Sequence, residues 1–433
     1  MHRKFFSVLL TSVICTSITA GHYVNVMAAK EDKTIIRFVA DTSEDTAYGK
    51  EFFPLLEKFE EENPDIDVQY ELAIDADMKT KIKTEAAADM LPDVFWYWST
   101  YSNAQFLYES DLIMPLDTII ENSSVLTKDM FPQSVLEAIT YNGVEYGIPL
   151  DSSRGFFLVN KALYDEYGVE LPKTYEEFRE GGKIFVENGI IPLAIGFKDG
   201  NPGHQWFSIL LNQLPGGTEE INAVLQGENL STDSGNLTKV AKIIQDDADM
   251  GMYPKDFING DWNTQQALFF EGKAAALYSL SFQLQGCPDE LVDDLQMWSV
   301  PKLEEAAKDP FTFYHTGPQD SIMVSKKSFE ESEEKRNAIM RFIDFYYGEE
   351  HINAVAKYKE LAFNYPIASE NLPPLVQEMY KYQEGMDTVS SIFTTVRDAT
   401  LFNSFKNALQ EVAAKITTPE EFSEKVKNLF DEY

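Results

Sequence analysis

The sequence predicts an α/β fold in two lobes, and three observations carry that reading. The N-terminal third alternates β-rich runs with helical runs, an order that builds a parallel sheet with crossover helices. The alternation resumes after a turn-rich stretch at residues 142–153. At 433 residues the chain is too long for one sheet, yet it contains no low-complexity linker or clean boundary. Two lobes joined by several crossovers satisfy all three.

The elements follow in order. "KTIIRFVAD" is a strand ending in polar "DTSED". Apolar residues at Phe52, Phe53, Leu55, Leu56 and Phe59 then recur at helical spacing, and "NPD" (63–65) stops them. "IDVQYELA" is the second strand, "DMKTKIKTEAAADM" the second helix, stopped near "LPD", and "VFWYW" the third strand. "NGVEYGIPLDSS" reads as a hairpin turn and a short strand. Thr174 in "LPKTYEEF" is placed to cap a helix, with Glu177 three residues on completing a capping box. "GIIPLAIG" (189–196), the end of "FFEGKAAALYSLSF" and "SIMVSKKS" (321–328) are further strands, and the C-terminal third is helical.

The N-terminus has the order of a secretory signal over residues 1–28: Arg3 and Lys4, an apolar run from Phe5, then small residues ending at Ala28. The apolar run is well short of the ~20 residues that span a bilayer. Cys15 is taken as part of that run, because Ile14 stands where lipid-attachment signals carry a small residue, with lipid anchoring through Cys15 as the alternative. Its removal would leave Cys287 alone and hence no internal disulfide. The formal charge of −35, more negative still without the signal, argues against nucleic acid and against anionic membrane surfaces. The expectation is an exported, soluble monomer at or outside the cell surface.

Motifs for catalysis and metals are missing. The five histidines are His2, His22, His204, His315 and His351, with no HExxH and no short spacing between them. No GxSxG, GxGxxG or phosphate loop is present. Neither a metal nor a cofactor is expected. Among 71 acids any choice of a glycosidase pair would be arbitrary. The aromatic residues are more informative. Trp96, Trp98, Trp206, Trp262 and Phe282 adjoin polar residues or strand ends, and sugar rings stack on aromatic planes while their hydroxyls take polar groups at the edge.

An ordered series of stretches resembles the family-1 extracellular solute-binding proteins of bacterial ABC importers, the superfamily that includes maltose-binding protein. The series comprises "FEEENPDIDVQYE", "KTEAAADMLPDVF", "DLIMPLD", "NGVEYGIPLDSS", "FFLVNKALYDEYGVELPKTYEEF", "IIPLAIG", "FFEGKAAALYSLSF", "SIMVSKKS" and "AIMRFIDFYYGEE". The resemblance implies a periplasmic-binding-protein type II fold: two lobes, each a mixed sheet flanked by helices, around a ligand cleft. It implies a first lobe of 29–150 plus about 320–366 and a second of 151–303 plus about 367–433, with hinges near 150–153, 302–321 and 364–369. The site it implies comprises Asp41, a loop at "WYWST" with Trp96, Trp98 and Ser99, then Asp151, Ser153, Arg154, Asp199, His204, Trp206, Phe282 and Phe402, to which the aromatic reading adds Trp262. Phe282 stands where relatives often carry a stacking Trp. The implied activity is capture of a mono- or oligosaccharide for a membrane permease, with no catalysis. A receptor for a polyamine or phosphate ester, and a secreted glycoside hydrolase, are the alternatives.

Overall fold

The computed structural model describes residues 33–74, 76–220, 235–309, 313–318, 320–367, 372–389 and 399–431. The expected export signal, with Cys15, lies outside the described residues. Fourteen strands appear among those described. They are β1 (Thr34–Ala40), β2 (Ile66–Leu72), β3 (Val94–Trp98), β4 (Thr140–Tyr141), β5 (Val144–Glu145), β6 (Ile148–Pro149) and β7 (Asp151–Asn160), followed by β8 (Ile191–Ala194), β9 (Ala274–Leu280), β10 (Leu295–Trp298), β11 (Phe313–Pro318), β12 (Asp320–Val324), β13 (Glu360–Leu361) and β14 (Asp387–Val389).

One sheet has the order β2-β1-β3-β12-β6. β1 is parallel to β2 and β3, joined through helices as the alternation predicts, while β12 returns antiparallel to β3 and β6. The sheet is therefore mixed. The helix Ala47–Glu62 covers it, started by Thr46, whose side chain accepts from the Gly49 amide. Its buried residues Tyr48, Phe52, Leu56 and Phe59 recur every turn, so one stripe faces the sheet. Phe38 of β1 meets Phe52 on this helix, and Phe342 and Tyr346 of the helix Glu333–Tyr346, at ring distances of 6.1, 5.0 and 5.8 Å.

The second sheet runs β14-β11-β7-β9-β8, with β10 and β13 also paired to β7. Its helix Tyr175–Glu187 begins with the capping box expected from Thr174 and Glu177. Gly182 allows the next segment to pack closely: a Cβ there would sit 2.4 Å from the Met252 sulfur.

Each sheet has its own core. The first draws on Ile36 to Leu150 and again on Ile322 to Phe363. The second is built from Phe156 to Leu303 and from Leu375 to Val426. The chain therefore passes between the cores at Leu150–Asp151, between β11 and β12, and between Phe363 and Leu375.

Two local expectations are corrected. The strand expected over 321–328 ends at Val324, because the Ser325 hydroxyl accepts from the Ser328 amide and starts the helix Lys326–Glu331. The loop that the family resemblance implies at "WYWST" begins only after Trp98, since the strand expected from "VFWYW" is found as β3 and all five of its residues are buried. β12 pairs along it from Val94 to Trp98, supplying the backbone partners that a loop would lack.

Candidate ligand site between the lobes

The passages between the cores are tied together by charge. Asp151 opens β7, Asp320 opens β12, and Lys359 immediately precedes β13. The Lys359 ammonium lies 2.6 Å from Asp151 Oδ2 and 2.8 Å from Asp320 Oδ2, while the Asp320 amide donates to Asp151 Oδ1. Burial pushes the Asp151 carboxyl up, to about 7, and the neighbouring Asp320 charge adds to that rise. Burial alone would lower Lys359, but the two carboxylates outweigh it and hold the ammonium above its ordinary value. The same ammonium sits 4.4 Å from the centre of the Trp96 ring. Arg154, also on β7, donates Nε and Nη2 to the two oxygens of Glu360, and its guanidinium lies 4.9 Å from the Tyr380 ring. Asp151 and Arg154, expected to touch ligand, are thus engaged by the chain itself.

A second group of side chains gathers where helices of the two lobes meet. Trp98 ends β3, and the Lys79 ammonium lies 4.3 Å from its ring centre. Lys79 stands on the helix Ala76–Ala87 of the first lobe. The next first-lobe helix, Tyr101–Glu109, contacts the second-lobe helix Ala399–Ala413. That second-lobe helix carries Phe402 and Lys406, with the Lys406 ammonium 4.8 Å from the Phe402 ring and the His204 ring edge-on to Phe402 at 5.4 Å. The turn Lys198–Gly200 packs against the same helix so closely that a Cβ at Gly200 would lie 2.5 Å from that of Lys406. Burial pushes the Lys406 ammonium down to about 8, and the Lys79 charge pushes in the same direction, against the exposed Asp199. The charge of Lys79 on one lobe therefore acts on Lys406 of the other.

The remaining expected residues divide. Trp262 and Phe282, both half-buried, meet at 5.4 Å. Ser99 and Ser153 are buried at the end of β3 and in β7, and Asp41 is half-buried after β1. Trp206 belongs to the second core. It is fully buried, its ring lies parallel to Phe157, and Nε1 donates to the Tyr253 hydroxyl at 3.3 Å. Tyr253 in turn donates to Asp247, which Tyr175 and Arg179 also hold. Trp96 is likewise core on most sides: it stacks on Tyr48 at 5.7 Å and donates to the Tyr346 hydroxyl. Alternation along β3 does put it on the face of Trp98, as expected, but that face is covered there by Tyr48 and Lys359. Tyr97 points the other way and packs against Phe106.

Sequence reading missed Lys79, Asp320, Lys359, Glu360 and Lys406. Nothing in "AKYKELAF" or "NSFKNAL" separates these lysines from the surface lysines around them. Only their positions, on an aromatic ring and against an opposite lobe, do so.

Two α/β lobes with separate cores, tied at their passages and meeting through aromatic and charged side chains, define a two-lobed binding protein. The profile of the bacterial extracellular solute-binding proteins matches residues 42–351, and the chain belongs to that family. Among curated proteins, an ABC transporter extracellular-binding protein of Pyrococcus horikoshii is 24% identical over 241 residues, covering 53% of this chain and 52% of that one. The maltotriose-binding protein of Pyrococcus abyssi is 24% identical over 242 residues, 56% of this chain and 49% of its own. The chain thus matches about half the length of these curated relatives. A solved protein from work on xylan utilization by the thermophilic bacterium Caldanaerobius polysaccharolyticus superposes with a TM-score of 0.79 at 24% identity, covering 91% of this chain and 99% of that one. That likeness establishes the fold. The family consists of binding proteins, and among the described residues no helix is long and apolar enough to cross a membrane.

Proposed function

We propose that the chain is a receptor that takes a carbohydrate between its two lobes and delivers it to the permease of an ABC transporter. The observation that carries this reading is the gathering of Trp98, Phe402 and His204 with charged groups where the two lobes meet. Aromatic faces stack on sugar rings, and polar edges take their hydroxyls. The half-buried pair Trp262–Phe282 offers further ring surface. The side-chain oxygens of Gln205 and Gln283, next in sequence to His204 and Phe282, are buried with no hydrogen-bond donor among the described residues. Such acceptors are costly unless a donor arrives, and sugar hydroxyls are donors.

In this reading the lobe bounds are those of the two cores, and the passages at Leu150–Asp151, between β11 and β12, and after Phe363 are the hinges. Ligand binding would shift the lobes toward the closed arrangement by the difference in its affinity for the closed and open forms. The receptor acts as an exported monomer, free of lipid, and performs no hydrolysis. The family's place outside the cell supports export. The two lysines at the junction disfavour a polyamine, whose cations they would repel.

The test is a thermal-shift screen of mono- and oligosaccharides beside polyamines and phosphate esters. A ligand bound only by the native state raises the melting temperature. One sugar class giving a clear rise is the expected result. A rise with a non-sugar alone would overturn the carbohydrate reading, and release of reducing ends from a bound glycan would replace it with a hydrolase.

A further inference from the structure

We infer that the ligand is an acidic sugar, whose anionic group is held between Lys79 of the first lobe and Lys406 of the second. The inference rests on the carbohydrate reading above and narrows it to a substrate class. Each ammonium lies over an aromatic ring of its own lobe, Trp98 at 4.3 Å and Phe402 at 4.8 Å. The two lysines are close enough for the charge of one to act on the other, so an anion placed where these helices meet would have a cation on each lobe. Lys406 is half-buried, and it makes no ion pair or hydrogen bond among the described residues. The acid that acts on it is Asp199, which is itself exposed to water.

Three further features favour an anion here. A half-buried ammonium beside a second cation is unfavourable, which is why burial and then Lys79 lower the proton affinity of Lys406, and an anion would relieve both the burial and the repulsion. The helix Gly203–Gln213, whose second residue His204 abuts Phe402, begins without a side-chain cap. Its N-terminal end adds positive potential to the same place. Finally, the chain as a whole is strongly acidic. Its general field repels anions, so a cation on each lobe at the junction is set against the background charge rather than produced by it. A neutral oligosaccharide would gain only hydrogen bonds from these ammoniums to its hydroxyl oxygens. A carboxylate or phosphate would gain two charge-assisted contacts.

The experiment is isothermal titration with the full chain against matched neutral and acidic sugars. The pairs are xylo-oligosaccharides with and without glucuronate, galacto- and galacturono-oligosaccharides, manno- and mannurono-oligosaccharides, and hexoses with their phosphates. At least one acidic member is expected to bind about tenfold or more tighter than its neutral partner, and added salt should shrink that ratio. The uronate and phosphate arms identify which anion is recognised. In Lys406→Met the acidic-to-neutral ratio should fall toward one. A thermal melt of the variant shows that it is folded, and Lys406→Arg should keep the preference. Neutral sugars binding as well as their acidic partners would overturn the inference and leave the carbohydrate reading standing. Binding of a non-sugar alone would overturn both.

Discussion

Lys359 and Lys406 each place an ammonium over an aromatic ring near the meeting of the lobes, at 4.4 Å from Trp96 and 4.8 Å from Phe402, yet their surroundings are opposite. Lys359 is held by Asp151 and Asp320, and its proton affinity is raised. Lys406 has no ion-pair partner among the described residues, and its proton affinity is lowered. The difference separates structure from recognition. A buried charge neutralised by its own chain fixes geometry, whereas one left half-buried against a like charge suits a partner that arrives later.

The largest expected effect lies where the chain passes between the two cores. Lys359→Met would leave two carboxylates buried beside each other, and loss of one member of a buried ion cluster costs about 3–5 kcal/mol. Chemical denaturation should record that loss. Adding Asp151→Asn and Asp320→Asn to Lys359→Met should restore much of it, because the repulsion disappears with the charges. A single variant within ~1 kcal/mol of the parent would mean that the cluster does not tie the passages.

The next effect divides the tryptophans. Trp206→Ala and Trp96→Ala remove fully buried rings and should each cost about 3–5 kcal/mol of folding stability. Trp98→Ala should weaken ligand binding by ~1–3 kcal/mol, with a smaller loss of stability. Calorimetric binding and melting of all three variants check the division. Trp96→Ala losing affinity while keeping its stability would move Trp96 from the core to the ligand.

Much of the fold was legible, for reasons that particular residues make clear. Tyr48, Phe52, Leu56 and Phe59 repeat every turn, and Thr174 with Glu177 closes the capping box that their spacing announced. These are local signals, fixed within a turn or two of chain. Trp206 shows the opposite case. Its sequence neighbours Gly203, His204 and Gln205 look like loop residues at a ligand, but helix Gly203–Gln213 is buried along its whole length. Its polar tip is met by Tyr253, 47 positions away. The ties at the passages between the cores are more remote still: Asp151 meets Asp320, 169 positions along the chain, and no periodicity encodes such a pairing. Family resemblance names Trp98, Phe402 and His204 but neither Lys79 nor Lys406, because the influence of one lysine on the other arises only where helices of the two lobes meet.

The smallest effect is a pH dependence, and it tests Lys406 without any ligand. The ordinary lysine value of 10.5 applies to the unfolded chain, while in the folded protein burial and Lys79 bring Lys406 down to about 8. Between these values the unfolded chain holds the proton that the folded chain has released. Stability from this group therefore rises with pH across that window, and the penalty is fully present below it. Lys406→Met keeps an unbranched stem over Phe402 but has no proton to lose. Its stability should match or exceed the parent's near neutral pH, with the advantage fading as pH climbs toward 10.5. Urea titrations of both proteins across that range measure the difference directly. An acidic sugar should cancel it, since an anion beside Lys406 raises its proton affinity and makes the charged form the stable one. A constant difference at every pH, with or without such a sugar, would place Lys406 among the ordinary surface lysines and return the junction to a neutral ligand.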